Sequence, residues 1–576
     1  MILRALYDYY NRCADKLPHY GTANKQIGFI IVIDKEGHFI RFEDRRIDGE
    51  TAQTFLVAQP VGRSSGVCAN YLYDNSEYTL GYSDKRDAEQ SKKYFNAFKQ
   101  VIDSIYEQHS DNPDLRALHN FYLQEQSSIL EQVKTDPLWE DIAKKLNKKF
   151  SFFSFLIEGD TRIVAEKAEL INLRPAEDNI QENHICLITG DKAPSVSLTA
   201  ATMIPGSQAT AKLVAFQVKS GYDSYGKEQG ANAPISEKAE FAYTTALNHL
   251  LAKNSRNKFL IGNRTYLFWA SSNNEAAQKA EESIFSLFGL QDNTDDPNRN
   301  IEQVRKVFNA IYSGQLHTDL DEKFYILGLA PNSARIAVVY WAEIPLKEFA
   351  EKINKHFEDM TIVDTRKEKR PYFGLRNILS AVAVDGKSDS VSPNLPESLT
   401  KSIFEGTPYP YTLYNACINR IRGKSAQEEI SIARAAILKA YLNRINNNQN
   451  ISIMLDRTNK NEGYLCGRLF AVLVKIQEEA NNISSVRERY MNSASTTPAA
   501  VFATIMNLSS HHAEKLRPGR MVQFEQLQQE IIDKLPADGF PAHLDLQDQG
   551  RFFVGYYHQR QDLFTKKSDN DIIDNE

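Results

Sequence analysis

Cysteine is scarce in this chain of 576 residues, which contains five copies that lie far apart in the sequence. They are Cys13, Cys68, Cys186, Cys417 and Cys466, and no two of them form a Cys-x-x-Cys pair. This spacing argues against a zinc site built from neighbouring cysteines and against a dense disulfide framework. We therefore expect reduced cysteines with structural roles.

Long apolar runs are also missing. No segment approaches the roughly 20 apolar residues that a membrane-spanning helix needs. The first residues, MILRALYDYYNRC, lack the longer apolar stretch and cleavage site of a signal peptide. Within them Ile2, Leu3, Leu6 and Tyr10 have helical spacing, which predicts an amphipathic helix. We expect a cytoplasmic protein without a membrane partner.

An excess of positive charge is absent as well. The formal net charge is −6 and the isoelectric point is near 6.1, whereas domains that bind nucleic acid are often strongly basic. A role in binding nucleic acid must therefore rest on local patches. Part of the acidity lies in residues 568–576, SDNDIIDNE, which have too little apolar content to fold alone and are predicted to be a disordered tail.

The length and the pattern of apolar residues predict an α+β protein of several domains. A chain of 65.5 kDa exceeds what one hydrophobic core usually serves. A mixed α/β N-terminal body is expected first, and the residues after about 430 have the periodicity of an antiparallel, all-α helical bundle. The polar stretch 443–450 is the best linker candidate. We predict a body over 1–449, itself subdivided, a bundle over 450–567 and the tail over 568–576.

Five runs rich in β-branched and aromatic residues predict strands in the N-terminal body. They cover residues 27–34, 151–157, 184–190, 265–270 and 324–342. In the last run, Pro331, Asn332 and Ser333 interrupt two β-rich segments. This interruption predicts a β-hairpin.

No catalytic motif is evident. Gly221, Gly226 and Lys227 match the first part of a phosphate-binding P-loop, but the next residue is Glu228, where a P-loop needs a Ser or Thr hydroxyl to bind magnesium. The HExxH motif is absent. We expect no enzyme activity and no metal or cofactor. The alternative is a metal-dependent nuclease subunit, which would require carboxylates or histidines that the fold brings together.

Two polar regions are candidates for contact with nucleic acid. In residues 224–236, SYGKEQGANAPIS, Lys227 supplies a positive charge, and Gln229 and Asn232 supply donors and acceptors. The alternative is a structural Gly/Pro turn whose amides satisfy the local backbone. The second region is a set of basic residues that could neutralise phosphates, although solvated helix faces have the same pattern. Its members are Arg420, Arg422, Lys424, Arg434, Lys439 and Arg444.

Long, idiosyncratic strings spread over nearly the whole chain resemble the large subunit of the type I-C CRISPR surveillance complex, Cascade. They include MILRALYDYY, NYLYDNSEYTLGYS, SYGKEQGANAPISEKAEFAYTTALNHLL, FYILGLAPNSARIAVVYW, GTPYPYTLYNACINRIR, GYLCGRLFAVLVKIQEEA and FPAHLDLQDQGRFFVGYYHQRQ. They occur in a fixed order, so the resemblance is much more specific than a short motif.

The resemblance implies a non-enzymatic role in antiviral defence. Such subunits lie beside the 5′ handle of the CRISPR guide RNA, together with the backbone, handle-binding and small subunits. They read a protospacer-adjacent motif in double-stranded target DNA, help to open an R-loop, hold the displaced strand and help to recruit a helicase-nuclease. Base pairing by the guide supplies the sequence information, so the protein reads only the flanking motif and the backbone shape.

The resemblance also implies a role for residues 62–74, GRSSGVCANYLYD, because a loop of this kind reads the flanking motif in the family. Small residues such as Ser64 and Ser65 would let the backbone enter a groove, and Arg63 would neutralise a phosphate. Asn70 would set its amide against a base edge, and Tyr71 beside it is also predicted to contact the DNA. The alternative is that Asn70 caps the following element and that the tyrosines at 71 and 73 are packing residues.

A separate small subunit can be made in this family by internal initiation within the reading frame of the large subunit. Met454 follows the Asn-rich linker and precedes the bundle, so we predict it as an alternative translation start. An ordinary fused domain is the competing interpretation. Basic residues of the bundle would track the guide–target duplex or the displaced strand. They are Arg468, Lys475, Arg487, Arg489, Lys515, Arg517 and Arg520.

Overall fold

The structure is a computed structural model. It describes residues 2–47, 51–61, 66–83, 87–145, 152–174, 183–202, 204–217, 221, 225–288, 299–365, 374–386, 390–423, 430–445, 451–483 and 485–564. Helices and strands are both well represented, which confirms the α+β prediction.

The chain divides into two compact units. The N-unit contains Leu6–Ala200 and Ala215–Ala246, and the C-unit contains Met1–Ala5, Ala201–Val214 and Leu247–Glu576. The strands are β1 (Thr22–Gln26), β2 (Phe29–Ile33), β3 (Phe39–Asp44), β4 (Thr54–Ala58), β5 (Tyr73–Asn75), β6 (Phe152–Ile157), β7 (Asn183–Ile185), β8 (Lys192–Pro194), β9 (Lys258–Ile261), β10 (Arg264–Ala270), β11 (Lys323–Asn332) and β12 (Arg335–Pro345).

The helices include the predicted N-terminal helix. They are α1 (Ile2–Arg12), α2 (Ser76–Thr79), α3 (Ala88–Gln108), α4 (Pro113–Leu123), α5 (Gln126–Val133), α6 (Trp139–Lys145), α7 (Ala168–Ile171), α8 (Glu237–Leu251), α9 (Glu275–Phe288), α10 (Arg299–Ser313), α11 (Leu346–Met360), α12 (Leu375–Val382), α13 (Leu395–Glu405), α14 (Tyr411–Ile421), α15 (Ile432–Ile445), α16 (Glu462–Asn481), α17 (Ser485–Thr496), α18 (Pro498–Ala513), α19 (Pro518–Ile532) and α20 (Leu546–Phe564).

The N-unit is built on a sheet with strand order β3-β2-β6-β5. Strand β2 has the sequence FIIVI and every residue is buried, because β-branched and aromatic side chains fill both faces of a central strand. It pairs in parallel with β6 and antiparallel with β3. Beside this sheet β1 and β4 form a two-stranded ribbon, in which Thr22 lies opposite Ala58. The loop that follows β4 leads to β5.

The C-unit contains an antiparallel sheet with strand order β12-β11-β10-β9. Strands β11 and β12 form the predicted hairpin, with Asn332 opposite Arg335. The turn therefore consists of Ser333, which has a φ of +53°, and Ala334. Pro331 lies within the strand opposite Ile336, so the strand extends one residue beyond the predicted start of the turn at this proline.

All described elements of secondary structure after Pro345 are helical. Helices α16 and α20 approach so closely that their backbones touch. A side chain added at Gly467 would meet the carbonyl group of Phe552, and one added at Gly555 would meet the carbonyl group of Tyr464. Glycine is required at both positions because any larger residue would push the helices apart.

Two details of the sequence-based segmentation are corrected. Residues 184–190 do not form a full strand, because β7 ends at Ile185 and a turn follows. The predicted boundary between 449 and 450 does not match the compact units. The Tyr414 hydroxyl donates to the Leu546 carbonyl at 2.8 Å, and residues from both sides of the boundary share one hydrophobic core. Asn443, in the predicted linker, also pairs with Ile451 through two hydrogen bonds of 2.9 and 2.7 Å.

Candidate nucleic-acid interface

The loop over residues 62–69 is joined at its two ends. The Asn70 side-chain oxygen accepts a hydrogen bond from the Val61 backbone N–H at 2.9 Å. The Asn70 backbone N–H in turn donates to the Asp74 carboxylate at 2.8 Å. Asn70 and Asp74 are both buried, so the bond between them is shielded from water, whereas Val61 is half-buried. Together they fix the positions where the loop leaves and re-enters the fold.

The tyrosines after the loop pack into the N-unit. The Tyr71 hydroxyl donates to the Leu170 carbonyl at 2.8 Å, and the Tyr73 hydroxyl donates to the Ala58 carbonyl at 3.1 Å. Burial raises the pKa of Tyr71 well above its usual value. Both rings are therefore packing residues, as the alternative interpretation of this segment expected, and Tyr71 has no free face for a nucleic acid.

Between these tyrosines the backbone is strained. Leu72 is buried and has a φ of +64°, a left-handed conformation that costs a non-glycine residue about 1 kcal/mol or more. The Ser154 hydroxyl donates to its carbonyl at 3.1 Å and holds it there. By contrast, Gly66, Val67 and Cys68 are exposed. The described residues of this segment thus combine an exposed stretch, 66–68, with a buried one, 69–73.

The structure describes only some of the residues that were predicted to read the flanking motif. Arg63, Ser64 and Ser65 lie outside the described residues. Asn70 is part of the buried base, and its side-chain oxygen already has a partner. The predicted contact of its amide with a base edge does not fit this structure, because the side chain holds the loop instead of projecting from it.

The segment that contains Lys227, Gln229 and Asn232 forms a short turn. The Asn232 side-chain NH₂ donates to the carbonyls of Lys227 and Gln229 at 3.3 and 3.1 Å. The Gly230 N–H donates to Ser197 at 3.0 Å. Asn232 therefore has the structural role that the Gly/Pro-turn alternative expected. Lys227 is exposed and Gln229 is half-buried, so their predicted contacts with DNA stay predictions.

Sequence reasoning missed Tyr225 in the same segment. Its relative exposure is 102% and its φ is +53°. The available signal was an aromatic residue surrounded by glycine, lysine and other polar residues, where no apolar neighbour in the sequence suggests a place in a core.

Two of the basic residues predicted to contact the nucleic-acid backbone are buried in this structure. Arg468 is 0% exposed, and its guanidinium donates to Glu530 and to Gln559, both at 3.0 Å. Lys439 is also buried, which lowers its pKa to about 8. Neither side chain can reach a phosphate in this structure.

Several other basic residues are half-buried and bound within the C-unit. Arg520 forms two bonds to Glu479, at 2.9 and 2.8 Å, and Arg434 donates to the Ala381 carbonyl at 2.9 Å. Arg422 donates to Gln549 at 3.3 Å. Arg444 and Lys475 form ion pairs with Asp359 and Glu479, and Arg420 and Arg487 are half-buried.

Exposed basic residues are fewer than predicted. Arg489 lies on α17, Lys515 follows α18, and Arg517 precedes α19. Lys424 lies outside the described residues. Met454, the predicted internal start, is exposed in the segment before α16. The roles predicted for these residues stay predictions.

Within the part of the chain that the structure describes, no group of three or more His, Cys, Asp or Glu side chains is placed to hold a metal ion. None of the helices found there combines the length and the apolar content that crossing a membrane requires.

The comparisons with known proteins place the chain in a family. The family described as CRISPR-associated protein (Cas_Csd1) matches residues 6–564, which is nearly the whole chain. None of the curated proteins matches it. The chain therefore belongs to the CRISPR-associated Csd1 family.

Proposed function

We propose that this protein is the non-catalytic large subunit of a type I-C CRISPR RNA-guided DNA surveillance complex. It recognises a protospacer-adjacent motif in double-stranded DNA, promotes opening of the duplex and R-loop formation, stabilises the displaced strand and helps to recruit the helicase-nuclease. Its other partners are the guide RNA and the backbone, handle-binding and small subunits. The match of the Csd1 family to residues 6–564 carries this proposal.

The geometry of the 62–69 loop supports motif reading. One end of it is fixed by the bond between Asn70 and Val61, while Gly66, Val67 and Cys68 are exposed. A fixed end limits the conformational entropy that is lost when the exposed residues enter a groove. Gly66 has no side chain, which allows the backbone there to approach the base pairs closely. Asn70 then serves the reading by positioning the loop.

The exposed basic residues support contact with phosphates. Lys227, Arg489, Lys515 and Arg517 are all exposed, so each can reach a phosphate, and Lys515 would exchange its bond to the Asn481 side-chain oxygen, at 2.9 Å, for that contact. Such contacts are independent of base sequence and depend on salt. We assign Lys227 to the DNA near the motif and the other three to the guide–target duplex or the displaced strand.

A substitution in the exposed part of this loop tests the motif-reading role. Val67→Asp places a carboxylate there, which would lose its hydration without a hydrogen-bond donor when the loop enters the groove of a target that carries the motif. Val384→Asp is the matched control, because the two valines are 42% and 43% exposed. In the complex assembled with guide RNA, Val67→Asp should lower affinity for targets with the motif by tenfold or more, and Val384→Asp should not.

Binding is measured at one fixed salt concentration with targets that carry or lack the motif. The proposal of motif reading fails if Val67→Asp weakens both targets by the same factor. The non-catalytic assignment is tested by incubating the purified protein with labelled DNA and Mg²⁺ or Mn²⁺. A DNA-cleaving activity that copurifies with this protein would favour the nuclease alternative.

We further propose that translation also starts at Met454 and yields a separate small subunit containing α16–α20. In the full chain the Tyr557 hydroxyl donates to the Val363 carbonyl at 2.8 Å, and Tyr414 contacts the start of α20. A free bundle lacks both partners and exposes this side of α20, where other subunits would bind.

Mass spectrometry of the expressed complex tests the internal start. We expect a C-terminal fragment that disappears in the Met454→Ala variant. Met454 is exposed, so the substitution should leave the full-length chain folded. If no fragment is found with the native Met454, the bundle is only a part of the large subunit.

A further inference from the structure

Tyr225 is more exposed than any other aromatic side chain in the described part of the chain. Its relative exposure is 102%, whereas the next value for an aromatic residue is 55%, at Tyr411. Tyrosine rings normally cover part of their surface against neighbouring atoms, with the hydroxyl at the wet edge. Both faces of the Tyr225 ring are therefore open to a ligand.

The backbone at Tyr225 is held in an unusual conformation. Tyr225 has a φ of +53° and Gly226 a φ of +73°, so two successive residues are left-handed. Glycine adopts this conformation readily, but a tyrosine does so rarely. An exposed ring gains no packing that would offset the strain. Strain of this kind is concentrated at ligand-binding positions.

The residues that follow are fixed to the fold. Asn232 bonds to the carbonyls of Lys227 and Gln229, and Gly230 donates to Ser197. Gly230 also lies against the Val196 carbonyl, where no side chain would fit. The backbone of Lys227 is thus held in place while its ammonium group is exposed. The Tyr225 ring and the Lys227 ammonium group are therefore two residues apart in one turn, and hydrogen bonds hold the backbone of that turn in place.

We infer that Tyr225 and Lys227 form a stacking site for single-stranded nucleic acid. The Tyr225 ring lies against the face of an unpaired base, and the Lys227 ammonium group lies against a neighbouring phosphate. This pairing of an aromatic ring with a cation is how proteins hold single strands without reading their sequence. The inference rests on the proposed function only for the origin of the strand, which is the strand displaced from the target.

The neighbouring sequence favours a nucleic acid over a protein partner. Residues 226–229 are Gly, Lys, Glu and Gln, and they add no apolar surface beside the ring. Protein interfaces are depleted of Lys and Glu at their centre, where an aromatic anchor would lie. A base needs only the face of the ring and a nearby positive charge.

The test uses the full-length chain in two assays. One measures its affinity for a single-stranded oligonucleotide that contains 2-aminopurine, and the other measures motif-dependent binding of duplex targets by the assembled complex. Tyr225→Leu keeps an apolar side chain but removes the ring, so we expect about tenfold weaker binding of the single strand and loss of 2-aminopurine quenching. Tyr225→Phe should bind within about twofold of the native protein, since the stacking ring is kept.

Controls separate this site from the rest of the surface. Tyr411→Leu removes another exposed ring and should leave binding and quenching unchanged. Lys227→Gln should lower the dependence of affinity on salt by about one ion, with quenching retained.

The outcomes distinguish the inference from the proposed function. If Tyr225→Leu binds and quenches like the native chain while motif selectivity is intact, the stacking site is refuted and the proposed function stands. If the native complex shows no motif selectivity, the proposed function fails, and the single-strand assay still decides on Tyr225. If Tyr225→Leu instead reduces copurification of other subunits without changing strand binding, the ring contacts a protein and the inference is wrong.

Discussion

The side-chain oxygen of Asn70 and the backbone N–H of Val61, nine positions apart in the sequence, are joined by a hydrogen bond of 2.9 Å. This bond closes the base of the 62–69 loop and gives Asn70 a supporting role. A substitution at Asn70 should therefore affect both the stability of the fold and the recognition of DNA, and a control variant is needed to separate the two effects.

Asn70→Ala should lower the free energy of unfolding by about 1–3 kcal/mol, because it leaves the Val61 N–H without its acceptor. It should also reduce motif-dependent binding, since the loop is no longer held. Urea unfolding and binding to motif-bearing targets measure the two effects.

The matched control for this prediction is Asn75→Ala. The Asn75 side chain caps α2 by accepting from the Glu77 N–H at 3.0 Å, so its loss should cost about 1 kcal/mol of stability. It should leave motif selectivity intact. Equal losses of selectivity in both variants would mean that general destabilisation, not the loop, is responsible.

Gly467→Ala should strongly destabilise the C-unit. The added methyl group would meet the Phe552 carbonyl of α20, and the cost of overpacking is about 1–3 kcal/mol or more. Gly519→Ala near the start of α19 is the control, because no other atom lies within 4 Å of the added carbon. It should be neutral or slightly stabilising. Thermal and urea unfolding compare the two, and equal stability would contradict the close contact between the helices.

Alanine substitutions at Arg468 and Arg517 should affect different properties, the stability of the fold in the first case and the salt dependence of nucleic-acid binding in the second. Arg468→Ala removes a fully buried side chain and its bonds to Glu530 and Gln559, and should lower the free energy of unfolding by about 1.5–3 kcal/mol. Arg517→Ala changes an exposed side chain and should alter stability by less than about 0.5 kcal/mol. It should, however, lower the salt dependence of nucleic-acid binding by about one ion. A smaller salt dependence in a fully stable Arg468→Ala protein would show that Arg468 reaches phosphates.

Lys439→Met should stabilise the protein at pH 7. Burial lowers the pKa of Lys439 to about 8, whereas an unfolded lysine has a pKa of about 10.4. The unfolded chain therefore binds more protons between these values, and the stability of the native protein rises with pH across that window.

The methionine carries no charge, so the variant should be more stable by about 3 kcal/mol at pH 7, and this advantage should shrink between about pH 8 and 10. Urea unfolding at a series of pH values measures it. If the extra stability of the Lys439→Met variant stayed constant over this pH range, it would not come from removing a buried positive charge at Lys439.

The elements that sequence reasoning located correctly depend on local patterns. The FIIVI run predicted β2, because a short, continuous run of β-branched residues is typical of a buried strand. The two halves of the β11–β12 hairpin are adjacent in sequence, so the pairing needed no distant information. The run at 184–190 has a similar composition, but there the chain turns after Ile185, and Cys186 bonds to Asp191 instead of extending the strand.

The site residues were harder to predict, because their roles depend on partners far away in sequence. Arg468 and Arg517 look alike as basic residues, and only the fold brings Glu530 and Gln559 to Arg468. A partial signal existed, since Arg468 lies in the run GYLCGRLFAVLV, which is apolar on every side and predicts a buried helix. Asn70 gave no such signal, since its buried bonds to Val61 and Asp74 form only in the folded chain.

The glycines between α16 and α20 have a genetic consequence. Gly463, Gly467 and Gly555 all follow Met454, so a polypeptide begun at that methionine would inherit the whole contact between the two helices. One nucleotide change in the Gly467 codon would then damage two gene products at once. Selection on this short stretch of the reading frame would act on the shared helix pair, and neither product could drift without the other.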